Sequence, residues 1–308
     1  MNVDDERGLP GDDRLELRLW ASAALNGAIT LAEFLGGIFS GSLALLSDAA
    51  HNLGDVAAVV LALWARRFGR RPPTERHTYG FRRAEVLAAL ANAVALVAIT
   101  ALIAREALVR LFHPEPVRQG LMLAVAAGAL LANLGSVLLL RRHDRDDVNV
   151  RGAYLHMSQD ALASLAVVVA ALLARTRVGA WVDPAAALVV GAAVLRSALS
   201  LAWETLSTLL EGAPVDADLA AMAADVRRAF PAAAIHHVHL WQNGPGQRLL
   251  TAHVTLEGNP DGAAIEVTFA GIKDLLRENW AVTHATLEPE VEGCGETALL
   301  GRWEGEGT

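Results

Sequence analysis

The stretch SLALLSDAAHNLGDVAAVVLALWA, residues 42–65, is long and apolar enough to cross a bilayer, a distance that takes about 20 helical residues at roughly 1.5 Å each. It nevertheless carries Asp48, His51 and Asp55. Spacings of three and four put all three on one helical face, and ionisable groups inside a span are expensive and mark function. A second stretch, YLHMSQDALASLAVVVAALLA (154–174), repeats the pair as His156 and Asp160. Two helices that each present His-x-x-x-Asp supply two imidazoles and two carboxylates, an N2O2 set suited to tetrahedral Zn2+. Metal binding needs neutral His and ionised Asp, so protons and metal compete for the same atoms. A site opening alternately to the two sides of a membrane would exchange Zn2+ for H+. Two unrelated ion pairs tying spans together are the alternative, and the doubled pattern argues against it.

Working outward, six apolar stretches are long enough to span, near 17–39, 43–65, 84–112, 119–140, 153–174 and 180–202. The chain of 308 residues is 53% hydrophobic with only 5% aromatic residues, a balance expected of a membrane domain joined to a smaller water-facing one. Seven arginines lie in RRFGRRPPTERHTYGFRR (66–83) and four in RRHDRDDVNVR (141–151), whereas the connectors on the other side are short and poor in charge. The positive-inside bias makes the two Arg-rich loops cytoplasmic, and an even number of spans then places both termini in the cytoplasm of an inner-membrane, multi-pass protein. The acidic start MNVDDERGLPGDDRLE is no secretory signal. Cys294 is the only cysteine, which rules out an internal disulfide and fits a reducing compartment.

Beyond about residue 212 the periodicity changes. Residues 216–230 and 261–279 read as helices, and 235–242, 247–258 and 281–290 as strands, with NGPG as the turn between the first two strands. The order αββαβ predicts a small α+β domain with helices on one sheet face. Its 6 basic and 14 acidic residues over 212–308 give a net of −8, equal to that of the whole chain. Such a module is unsuited to nucleic acid and compatible with cations. The expected organisation is an N-terminal tail at 1–16, a six-helix bundle at 17–208, a cytoplasmic domain at 209–292 and a tail at 293–308.

Other polar residues in the spans are Asn26, Glu33, Asn92 and Asn133, which either line a water-filled path or form interhelical hydrogen bonds. Asp48, one turn from His51, is either a relay for proton or metal or a hydrogen-bonding partner of a neighbouring helix. Gly36 and Gly37 point to close helix packing.

The segments SGSLALLSDAAHNLGDVAAVVLALWA (40–65), HTYGFRRAEVLAALANAV (77–94) and YLHMSQDALASLAVVVAALL (154–173) resemble the signature segments of the cation diffusion facilitators, the zinc-transporter family. The resemblance covers about residues 17–290. It implies six spans, a cytoplasmic metal-binding domain of ferredoxin-like αββαβ topology, homodimers, and metal/proton antiport out of the cytoplasm, with a transport site at His51, Asp55, His156 and Asp160. His236, His253 and His284 fall where the family's cytoplasmic metal ligands lie, so Zn2+ is implied there as a ligand as well as the transported substrate. Glu290 and Cys294 follow the last strand and are candidates to complete that site. The metal site that some members build in the loop between the second and third spans is reduced here to His77 with Glu75 nearby, and Phe81 stands where such members carry His. Cd2+, Co2+, Fe2+ and Mn2+ are alternative substrates. A membrane metallohydrolase using the same ligands would need an open metal position and a separate base, and no HExxH or nucleophile elbow is present. A metal sensor without transport would not need ligands on two spans.

Overall fold

The computed structural model describes residues 12–140, 148–174, 176, 178–258, 260–290 and 298–300. Six long helices come first: α1 (Asp12–Ser40), α2 (Leu43–Gly69), α3 (Arg83–Phe112), α4 (Gln119–Leu140), α5 (Val148–Leu173) and α6 (Gly179–Leu209). Among the described residues five, α2 to α6, are long and apolar enough to cross a membrane, and Leu25–Ser40 of α1 is a shorter apolar stretch. Their burial pattern is the reverse of a water-soluble bundle. Buried positions include Ala44, Ala49, Ala93, Ser42, Asn52, Asn133 and Glu33, while Leu131, Leu162, Val189 and Trp203 point outward. Lipid tails solvate large apolar side chains as well as a protein core does, so helices associate there through small and polar residues. At Gly36 of α1 an added Cβ would come within 2.8 Å of the Val125 side chain on α4, so that crossing requires glycine.

By compactness the chain forms two units. One comprises residues 1–60 and 91–200; the other comprises residues 61–90 and 201–308, so the loop at 66–83 groups with the C-terminal domain. Helices α2, α3 and α6 contribute to both.

The C-terminal domain has the expected order: α7 (Leu219–Ala229), β1 (Ala233–Gly244), β2 (Gln247–Leu256), α8 (Gly262–Trp280) and β3 (Val282–Glu290). The sheet order is β1-β2-β3, with β1 and β2 antiparallel and β2 and β3 parallel, as a crossover through α8 requires. Asp218 and Asp261 cap the helices, accepting from the backbone N–H groups of Ala221 and Ala264. One sheet face packs Ile235, Val238, Leu240, Leu250, Ala252, Val254 and Leu256 against Met222 and Val226 of α7 and Ile272 and Leu276 of α8. The chain therefore folds as a membrane helical bundle followed by a ferredoxin-like α+β domain.

The opposite sheet face carries the polar alternates, and β1 changes phase along it. His236 is opposite His253, but His239 is opposite Thr251, so one extra residue sits in β1. That residue is His237, in the left-handed region with φ 49°, a conformation found at the first residue of one bulge type. The outer edge of β1 is covered at the bulge, where the N–H groups of His237 and Val238 donate to the carbonyls of Ala298 and Leu299.

Candidate functional site

The four intramembrane groups singled out in the sequence meet. His51 Nδ1 lies 3.9 Å from Asp55 Oδ2, and His51 Nε2 lies 3.9 Å from Asp160 Oδ1. His156 Nε2 lies 3.7 Å from Asp55 Oδ2 and 3.6 Å from Asp160 Oδ2. Imidazole and carboxylate thus alternate around a four-membered ring. Each histidine faces the carboxylate of the other helix, as two His-x-x-x-Asp faces do when their helices run antiparallel. His51 uses both ring nitrogens and Asp160 both oxygens in these contacts, and a metal binds one nitrogen of an imidazole, so the four groups have to draw in to form one tetrahedral shell, whose edge for bonds of about 2.0–2.1 Å is about 3.3 Å. The imidazole centroids are 6.5 Å apart, so opposite corners also have to draw in. Exposure is graded around the ring: Asp160 is wholly buried, whereas the Asp55 and His156 side chains are 37% and 35% exposed.

Several contacts fix the helices that carry these groups. Asp183, near the start of α6 and buried, accepts from the Ser42 hydroxyl at 2.5 Å and from the N–H groups of Leu43 and Ala44 at 2.8 and 3.3 Å. A carboxylate there satisfies orphan donors of the first turn of α2 and meets the positive end of its dipole. Next to Asp55, the Asn92 amide of α3 donates to the Gly54 carbonyl at 3.1 Å. Asn133 of α4 donates to Ser164 of α5, and Ser164 donates to Asp48. Asn92 and Asn133 are therefore interhelical bonds. Asp48 is held in this polar network behind the ring. The sequence reading missed Asp183; the signal was an aspartate inside the sixth apolar stretch, immediately before a proline, at WVDPAAAL (181–188).

In the C-terminal domain the structure gathers a different trio from the one expected. His236, His253 and Glu290 offer ligand atoms all within 4.8 Å of one another. Glu290 bridges the two rings, with Oε1 2.6 Å from His253 Nδ1 and Oε2 3.1 Å from His236 Nε2. Glu288 stands 3.7 Å from His253 Nε2. His284, expected with His236 and His253, is not in this group. It shares the face of His253 and Glu290, but the parallel register pairs it with Leu249, four residues along β2 from His253. At roughly 3.3 Å per residue that is about 13 Å away. The bulge brings in two further rings: His237 stacks on His253 with centroids 4.6 Å apart and meets His239 at 5.1 Å. Burial, then the neighbouring His237 and His253, hold the His239 imidazole below its ordinary value.

His77 lies in the exposed loop, 3.4 Å from the Thr74 hydroxyl and with its ring tilted against Phe81 at 4.6 Å, and no group of three ligand-type residues forms around it among the described residues. Cys294 lies outside the described residues.

The fold defines the class: a polytopic membrane protein with a ferredoxin-like domain, whose second and fifth helices bring two histidines and two aspartates together. Residues 19–210 match the family of the cation efflux transmembrane domain. The zinc transporter ZitB of Escherichia coli K12 is 41% identical over 288 residues, covering 93% of this chain and 90% of that protein. The metal cation efflux system protein CzcD of Cupriavidus metallidurans is 36% identical over 92% of this chain and 89% of its own. A cadmium, cobalt and zinc/H(+)-K(+) antiporter of Bacillus velezensis is 32% identical over 84% and 83%. The chain belongs to the cation diffusion facilitator family. It is a membrane transporter for cation efflux and not an enzyme.

Proposed function

We propose that the chain exports Zn2+ from the cytoplasm across the inner membrane in exchange for protons, with His51, Asp55, His156 and Asp160 as the transport site. The observation that carries this reading is that two imidazoles and two carboxylates of α2 and α5 approach one another in pairs at 3.6–3.9 Å, the donor types of an N2O2 zinc site. Its charge explains the exchange. Two ionised aspartates neutralise one divalent cation, so when the cation leaves, protons on the same four groups replace its charge; an uncompensated pair of charges there would be expensive. ZitB, CzcD and the Bacillus protein bear the names of zinc or multi-metal carriers, in line with zinc here; N2O2 donors accept Cd2+, Co2+ and other divalent ions too.

Both termini and the Arg-rich loops face the cytoplasm in this reading, with a transport domain at 17–208 and a metal-binding domain at 209–292. In that second domain His236, His253 and Glu290 hold a regulatory Zn2+ that favours one arrangement of the spans in a homodimer. The donor set fits zinc: two imidazole nitrogens and a carboxylate on one sheet face.

The deciding experiment is zinc uptake into proteoliposomes by the Asp55→Ala/Asp160→Ala double variant, with an internal pH dye read in parallel. Undiminished uptake would overturn the site, and wild-type uptake without proton movement would overturn the exchange. Rescue of an exporter-deleted bacterium confined to Mn2+, across Zn, Cd, Co, Ni and Mn, would overturn zinc.

A further inference from the structure

A cavity of about 460 Å3 lies between the Arg-rich loop and the C-terminal sheet. Its polar lining comes from Thr78, Tyr79 and Arg82 of the loop and from Gln247, Thr283 and His284 at the starts of β2 and β3. Both walls belong to the same compact unit. Contacts beside the cavity hold them together. The Asn243 amide donates to the Tyr79 carbonyl at 3.2 Å, and a Cβ added to Gly244 would come within 3.0 Å of the Arg82 Cβ. Arg83, next in the chain, pairs with Glu211 at 2.8 Å. The charge of this cavity is opposite to that of the domain around it. Residues 212–308 hold 14 acidic and 6 basic residues, yet no Asp or Glu lines the cavity. The described arginines of the domain, Arg227, Arg228, Arg248 and Arg277, each pair with a carboxylate. The side chains of Arg82 and His284 make no ion pair or hydrogen bond among the described residues.

A guanidinium on the wall disfavours a metal ion and favours an anion. Its planar fork matches two oxygens of a phosphate at once, and an imidazole has an N–H to give whether neutral or charged. Thr78 and Tyr79 carry hydroxyls. Gln247 Oε1 already accepts from Asn243 at 3.2 Å, which leaves the Gln247 NH2 to be given. Thr283 differs, because its hydroxyl donates to the Arg248 carbonyl. The volume falls in the range of about 300–1,000 Å3 usual for small-molecule sites, so a phosphate has room for the group it is attached to. We propose that this cavity binds a phosphate group, with Arg82 and His284 as its principal donors. Arg82 reaches it from the loop and His284 from the sheet, so the bound anion fastens the segment joining α2 and α3 to the C-terminal domain. The phosphate is either that of an anionic lipid headgroup, since a loop between two spans lies at the bilayer surface, or that of a soluble molecule. Both present the same oxygens.

Titration of the full chain with inorganic phosphate, in dodecyl maltoside without zinc and at constant ionic strength, tests it by calorimetry. The wild type binds. Arg82→Gln and His284→Gln, both at exposed positions, stay folded by circular dichroism and each weaken binding by at least about tenfold, as loss of a hydrogen bond to a charged group does. Arg76→Gln removes the same charge from the same loop but lies outside the cavity, and it changes affinity by less than about twofold because exposed charge is screened. Phosphate also slows tryptic cleavage at the other loop arginines of the wild type, and this protection disappears in His284→Gln, whose change is on the opposite wall. Repeating the titration with dihexanoyl phosphatidylglycerol in the micelles assigns the source: competition means a lipid headgroup, unchanged binding means a soluble phosphate, and either result keeps the site. The proposal is overturned by absence of phosphate binding in the wild type, by equal losses in Arg76→Gln and Arg82→Gln, or by protection that survives in His284→Gln. None of these readouts involves zinc, so they stand apart from the transport reading.

Discussion

The membrane ring and the C-terminal trio use the same residue chemistry but depart from a metal shell in opposite directions. A tetrahedral zinc site has edges of about 3.3 Å. The ring of His51, Asp160, His156 and Asp55 is wider, at 3.6–3.9 Å, and must contract. The trio is tighter, at 2.6 and 3.1 Å, because Glu290 is hydrogen-bonded to His253 and paired with His236, and it must open. An ion entering the ring meets groups held apart by the helices that carry them. An ion entering the trio has to displace hydrogen bonds that already stabilise it. The first arrangement suits a site that fills and empties repeatedly; the second suits one that fills once and changes the fold's balance.

That contrast sets the largest expected effects. Asp160→Asn lowers zinc uptake by at least about 100-fold, more than loss of a supporting group does, because both histidines face this wholly buried carboxylate. Asp55→Asn, at the exposed edge, lowers it less. Equal losses in radiotracer uptake would break the picture of a ring graded in exposure. Asp183→Ala comes next: it strands the Ser42 hydroxyl and two N–H groups of the first turn of α2 and destabilises the fold by about 1–3 kcal/mol. Thermal unfolding in detergent reads this, and zinc uptake falls with it because α2 carries two of the four proposed ligands.

His253→Ala acts on the other region. Zinc bound per chain falls by the occupant of the trio, and the zinc-dependent rise in thermal stability shrinks by about 2.7 kcal/mol at a zinc concentration 100 times Kd. The ring is untouched, so residual uptake separates the two sites. Lowering the pH acts on this domain in one direction. His239 binds protons less readily in the fold than in the unfolded chain, so folding stability is complete above the ordinary imidazole value of about 6.5 and declines as the pH falls below it. Proteolysis of the full chain at β1 should accelerate across that window and do so less in His239→Gln.

The two regions also differ in how far their sequences could be read. On α2 and α5, side chains one turn apart must share a face, so His51 with Asp55 and His156 with Asp160 announce themselves by spacing alone. The trio depends on the register of a parallel pair, which strand periodicity does not set. Periodicity puts His284 and Glu290 on the same face, and both are; it does not say that His253 lies level with Glu288 and not with His284. The bulge at His237 is equally invisible, since no glycine or asparagine marks the left-handed residue. Asp183 was missed because its partners are backbone groups at the start of α2, about 140 residues away in sequence.

The smallest expected effect sharpens the contrast most. His284 was expected to be a ligand because of the family resemblance, and it is exposed at the far end of β3 from Glu290, level with Leu249. If the register is right, His284→Ala leaves zinc stoichiometry, the zinc-dependent stability increment and uptake at wild-type values, whereas Glu290→Gln loses the same bound zinc as His253→Ala. A metal reaching His284 from His253 would have to bridge about 13 Å, several times any metal–ligand bond. Equilibrium dialysis of the three variants side by side therefore discriminates sharply. Loss of zinc in His284→Ala with retention in Glu290→Gln would mean that zinc rearranges β3 against β2, and the regulatory role would then lie in that slip of register.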